Sequence, residues 1–317
     1  MVCVFIPLIG GREHMKKLNR LFFGLSAGLV LSGCSSFMGL RQPLYDGQSM
    51  EPKQEAIDIY EKTGEIIGEE KEYYFRYPFS QDIYQPSLEY TENEPVLLTD
   101  GEYVIGEDLP AGRVSLLGNE SSFISDSYEA HVGNFKIYDP KGEVYFENLF
   151  HSLYGPLIAQ VDLQVGHTIE IIGNDTEISA FYTENFPKNP YELMDPPEVL
   201  ENLGRIGVEQ PLTKDEDTVR VTAGIYEVGV HLEAGTYEVL DVFAPQSTEL
   251  YLFREGEEPR VFELTLNEMI YNVDEEEMEE MSEKDFEDDP IQIELQDGDK
   301  IYPNLVSSLI LSRVADN

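Results

Sequence analysis

Three histidines, His131, His151 and His167, are the natural first place to look for metal or acid–base chemistry in this chain. They form neither H-x-x-x-H nor H-E-x-x-H, and the other two, His14 and His231, stand far from them. Zinc takes His, Cys and carboxylate ligands, four of them in a structural site. Both cysteines, Cys3 and Cys34, lie in the first tenth of the chain, so none can assist. Ordinary surface or boundary histidines are the expectation, and a disulfide framework and thiol catalysis are excluded from the body. Beyond residue 40 there is no G-x-S-x-G, no S-x-x-K and no G-x-x-x-x-G-K-[ST], which leaves no serine-nucleophile or phosphate-cradling motif. Carboxylates are plentiful, 62 in all. A catalytic pair cannot be picked out among them, because the separation of roughly 5–10 Å that glycoside hydrolysis needs is a spatial fact.

One acidic run stands out. Val273 to Asp289 reads VDEEEMEEMSEKDFEDD. Asp274, Glu275, Glu276 and Glu277 are its weak candidates for a cation, but the run lacks the D-x-[DN]-x-[DN]-G order of a calcium loop. Dense like charge resists compaction, so a solvated excursion is the expectation. No metal and no cofactor is assigned.

The formal net charge is −41, from 21 Lys and Arg against the 62 acids. A field of that sign repels phosphates, which excludes nucleic acid as a partner. Cations, cationic peptides and basic protein surfaces are the electrostatically favoured partners. The same charge also serves solubility alone.

The elements that must position any site begin with an address. Lys16, Lys17 and Arg20 precede an apolar run from Leu21 to Leu31. That run is too short for a spanning helix, which needs about 20 residues, and it reads as a secretory signal. It ends in Leu31-Ser32-Gly33-Cys34. This stretch resembles the lipobox of bacterial lipoprotein signal peptides. The resemblance implies thioether lipidation of Cys34, cleavage before it and a membrane anchor on the extracytoplasmic face. Residues 1–14 place a second apolar run ahead of the signal, which reads as an over-extended start with Met15 as the initiator.

From residue 34 to 95 the chain is rich in Tyr and Glu, and a polar tether is the simplest reading. It could hold a short helix over 55–70, and its aromatics could instead dock onto the first domain or bind a partner. Then comes a phrase written twice, GEYVIGEDLPAG from Gly101 and GIYEVGVHLEAG from Gly224. It pairs Gly101, Tyr103, Gly106 and Gly112 with Gly224, Tyr226, Gly229 and Gly235. The closing phrases pair as well, VDLQVGHTIEI from Val161 with IELQDGDKIYP from Ile293. Like starts and like ends in the same order predict a duplicated unit. Period-two alternation around each phrase predicts strands, with a turn over Leu109–Gly112. The expected fold is all-β: two tandem β-sandwich or barrel-like domains over 96–183 and 219–315. They would be joined by a Pro-rich linker, 184–218, with the acidic insertion 273–289 in the second.

The repeated phrase resembles a G-x-Y-x-V-G-x-D-I/L-P-A-G pattern of exported proteins and lipoproteins of Gram-positive bacteria. The resemblance implies a surface β-module and carries over no catalytic residue. The first copy departs from it at Val114, the second at His231 and Glu233. The functional expectation is a lipid-anchored envelope protein whose β-modules bind a ligand or partner, more plausibly without catalysis. An envelope carbohydrate-active hydrolase using Asp and Glu and a passive spacer are the alternatives.

Overall fold

The computed structural model describes residues 53–75, 79–118, 132–151, 156, 158–172, 176–184, 213–214, 218–243, 248–264 and 291–314. The signal, Cys34, His131, most of the linker and the acidic run 273–289 lie outside these residues.

The expected tether is, from residue 53 onward, a folded strap. Helix α1 (Gln54–Thr63) ends at Gly64, whose left-handed conformation lets its N–H reach Tyr60 O at 2.8 Å. A two-residue strand β1 (Glu65–Ile66), helix α2 (Glu69–Tyr74) and a 3-10 turn (Gln81–Tyr84) follow. Ile66 and Ile83 are buried, and Phe75, Phe79 and Tyr84 pack on the core. The aromatics that colour this segment are thus apolar surface requiring cover, which a solvated tether does not give them.

The first half contributes β2 (Val96–Leu98), β3 (Gly101–Val104), β4 (Gly112–Gly118), β5 (Val132–Tyr138), β6 (Val144–His151), β7 (Ile158–Leu163), β8 (Thr168–Ile172) and β9 (Ile178–Phe181). The second contributes β10 (Thr213–Lys214), β11 (Thr218–Val221), β12 (Ala223–Gly224), β13 (Tyr226–Glu227) and β14 (Gly235–Phe243). It closes with β15 (Thr248–Phe253), β16 (Arg260–Leu264), β17 (Gln292–Leu295), β18 (Lys300–Pro303) and β19 (Ser308–Arg313). The first half's sheets run β3-β8-β5-β6 and β12-β7-β4-β9-β2. The second half's run β1-β16-β15-β18-β13 and β10-β11-β19-β14-β17. Leaving out β1, β10 and β12, the two halves share one strand order.

The all-β expectation holds. Two separate tandem sandwich or barrel-like domains do not form; the described residues make four small sheets in a four-bladed, propeller-like arrangement. The reason is that the halves share hydrogen bonds and core. Strand β12 of the second half pairs in parallel with β7 of the first. The strap's β1 pairs with β16. One buried cluster runs from Ile66 and Ile83 through the first half to Ala223, Ile225, Phe253 and Tyr302. Strands β4 and β7 are buried along their whole length, because the strap and β12 cover what would be open surface. The end of the linker is also structured: β10 pairs with β11, and Thr218 already belongs to the sheet.

Candidate ligand cleft

The repeated phrase builds the same corner twice. Tyr103 Oη accepts from Thr99 N at 3.0 Å and donates to Thr99 O at 3.1 Å. Tyr226 Oη does the same with Thr222, at 3.2 Å each way. Gly106 N donates to Leu109 O and Gly229 N to Leu232 O, both at 2.7 Å. Both glycines have φ near +90°, which favours Gly. The turn therefore lies just before the Leu109–Gly112 position expected from the sequence. The closing phrase meets the opening one: Gly166 N donates to Ile105 O and Gly298 N to Val228 O, both at 2.9 Å. Gly101, Gly112 and Gly235 open strands β3, β4 and β14.

Gly224 has a second duty. A Cβ there would sit 2.3 Å from Gln160 O, whereas one at Gly101 would meet nothing within 4 Å. Beside it Ile225 N donates to Gln160 O at 2.9 Å. Buried Arg113 binds both Asp162 Oδ1, at 3.1 Å, and Ile225 O, at 2.7 Å. The junction of the halves is therefore polar and close-packed, and the repeat residues serve architecture.

His167 is buried, with Nε2 2.9 Å from Asp82 Oδ2 in the strap and Tyr145 edge-on at 4.9 Å. Its imidazole ties the strap down. Among the described residues no group of three or more His, Cys, Asp or Glu is placed to hold a metal. The side chains of His131 and His151, and Asp274, Glu275, Glu276 and Glu277, lie outside the described set. Glu249 and Glu263 stand opposite each other in the β15–β16 register. Burial, with the charge of Glu263, raises the Glu249 carboxyl above its ordinary value. This pair is engaged: Tyr60 donates to Glu263, and Asn304 Nδ2 donates to Glu249 at 3.3 Å.

Sequence reasoning missed a cleft of about 700 Å³ between the strap and the β15–β16 turn. Phe253 is its hub. The Phe79 ring lies 5.1 Å from it at 74°, Tyr84 6.3 Å at 83° and Phe75 6.4 Å at 87°, all edge-to-face packings that aromatic quadrupoles favour. The rim is the turn after β15, with Glu255, Glu257 and Glu258. Glu257 N bonds Arg254 O at 3.1 Å, and Gly256 takes φ +81°. Burial, and then the charge of Glu255, pushes the Tyr84 hydroxyl above its ordinary pKa. Glu255 is exposed and has no ion-pair partner among the described residues. Arg254 is held by Asp299 at 2.9 and 2.8 Å and reaches Glu257 only at 3.8 Å.

The corresponding β5–β6 turn of the first half is closed. Asp139 there accepts from Lys141 N, Glu143 N and Ser80 Oγ at 2.8–2.9 Å. The signal for the cleft was present as a difference between copies: Asp139-Pro140-Lys141-Gly142 in one, Arg254-Glu255-Gly256-Glu257-Glu258-Pro259 in the other.

No family model matches the sequence, and no curated protein is similar to it at a significant level. Among solved structures, it is similar to the Lactobacillus farciminis oxalate decarboxylase formate complex at 10% identity and TM-score 0.16, over 70% of this chain and 72% of that one. It is also similar to Bacillus subtilis oxalate decarboxylase at pH 4.6, at 12% identity and TM-score 0.14, over 87% of this chain and 84% of that one. Likeness this slight carries no argument about fold or activity.

Proposed function

We propose that this protein is a lipid-anchored binding protein of the bacterial cell envelope. Cys34 carries the lipid and holds the protein to the membrane on its extracytoplasmic face. The β-rich body, descended from a duplicated unit, presents the cleft between the strap and the β15–β16 turn to a ligand. Cations and basic proteins or peptides are the partners its charge favours. The observation that carries the reading is the cleft lined by aromatic residues with a carboxylate rim, open among the described residues. The hydrolase alternative finds less support, since the opposed carboxylates Glu249 and Glu263 already bond Asn304 and Tyr60.

Two measurements test the proposal together. Labelled fatty acid should enter the wild-type chain and not Cys34→Ala. Envelope extract passed over immobilised wild-type protein should yield a partner that a Glu255→Arg chain fails to retain. Equal labelling of both chains would remove the anchor, and equal retention would remove the cleft.

A further inference from the structure

We infer that the cleft takes an organic cation on an apolar stem, the lysine or arginine side chain of a basic peptide. This rests on the binding reading above and names its ligand class. Two features of one wall meet that chemistry. Aromatic rings attract a cation within about 6 Å of a ring centroid and also cover its methylene stem, and half-buried Phe79 and Tyr84, packed on buried Phe253, supply such rings. Glu255 lines the same cleft as Tyr84 and has no cation of its own among the described residues. Among the described residues the neighbouring cations are committed. Arg254 is held by both oxygens of Asp299, and Lys71 meets Glu258 at 3.3 Å. Glu258 is 91% exposed in that pair, which leaves it free to exchange partners.

A bare metal ion fits less well. Calcium needs six to eight oxygen ligands, and Phe75, Phe79, Tyr84 and Phe253 take up much of the lining without offering carboxylate oxygens. A cleft of about 700 Å³ lies within the roughly 300–1,000 Å³ span of ligand pockets, larger than a hydrated ion requires. The net charge of −41 raises the local concentration of any basic segment. The acidic turn of β15–β16 replaces one that the first half closes with Ser80, so the cleft lies where the copies diverge.

The test titrates the full chain, held in non-ionic detergent, with N-acetyl-pentalysine amide at about 0.15 M salt, where diffuse surface charge is largely screened. Calorimetry should give saturable one-to-one binding. Glu255→Gln and Tyr84→Leu should each weaken it about five- to tenfold. Tyr84→Phe keeps the ring and should keep the affinity, which guards against a strap that merely misfolds. Glu102→Gln with Glu107→Gln, exposed in the first half, should change nothing. Equal weakening by that distant pair would overturn the inference in favour of diffuse charge. Stronger binding of N-acetyl-pentaglutamine amide, or of Ca²⁺ alone, with the same Tyr84→Leu sensitivity would overturn the ligand class and leave the binding reading standing. Hydrogen exchange at residues 253–259 unaltered by all three probes would overturn both.

Discussion

Asp108 and His231 accept the same hydrogen bond in the two halves. Val104 N donates to Asp108 Oδ2 and Glu227 N to His231 Nδ1, both at 2.8 Å. The departure of the second copy from the repeated pattern is therefore conservative in role. His231→Asp should leave the thermal midpoint nearly unchanged. His231→Leu removes the acceptor and should cost about 1 kcal/mol, read as a lower midpoint in denaturant.

Gly224 and Gly101 occupy equivalent positions but carry different loads. Gly224→Ala forces a Cβ to within 2.3 Å of Gln160 O, between the halves. It should destabilise by about 3 kcal/mol or more, since backbone cannot yield as a side-chain tip can. Gly101→Ala meets only the conformational cost, about 1 kcal/mol. Denaturant unfolding of the two variants side by side checks the difference.

The Arg113–Asp162 pair is almost wholly buried, at 2% side-chain exposure on each side. Breaking such a pair leaves an uncompensated charge, so Asp162→Asn should cost about 3–5 kcal/mol. Arg313 with Glu233 is an exposed pair, and Glu233→Gln should cost less than about 1 kcal/mol. Chemical denaturation midpoints compare the two.

Two carboxylates of the body hold the strap at Ser80 and Ser87. Asp139 accepts from Ser80, and Glu227 accepts from Ser87 N at 2.6 Å while pairing with Lys300. Burial opposes the ionisation of both, but their hydrogen bonds outweigh it and hold both below their ordinary values of 3.8 and 4.5. A depressed folded pKa stabilises above the unfolded value, and that stability is lost as pH falls through the folded one. Hydrogen exchange over residues 79–90 should therefore stay slow from neutral pH to about 5 and accelerate below about 4. Ser80→Ala should raise exchange at neutral pH and flatten the acid response.

Glu249 runs the opposite way. Burial, with Glu263 opposite it, raises its carboxyl. A raised carboxyl costs stability as pH climbs from the unfolded value through the folded one. Glu249→Gln should thus stabilise the protein at pH 7 and change little at pH 4, as thermal midpoints at the two values would show.

The all-β character and the two copies were legible from short-range signals. Alternation at Tyr103 and Ile105 sets faces, glycines at 106 and 229 set corners, and matched phrases at each end mark a copy. These are local consequences of a two-residue period and of glycine's conformational range. The pairing of Ile105 with Gly166 was half visible, since both phrases repeated, but nothing in the spacing said they would touch.

What the tertiary structure alone decided is where surfaces close. The tyrosines and phenylalanines of 53–95 read equally as tether or as cover, and only the exposed apolar faces of the two halves make cover the lower free energy. Whether the halves stand apart depended on Arg113 finding Ile225 O and on Gly224 admitting Gln160, contacts separated by 112 residues in the first case. The cleft likewise joins Phe79 and Tyr84 to Phe253 and Glu255. Sequence fixes which residues can pack or pair. Proximity between distant segments is set by the whole chain finding one arrangement that buries apolar area and leaves few buried charges alone.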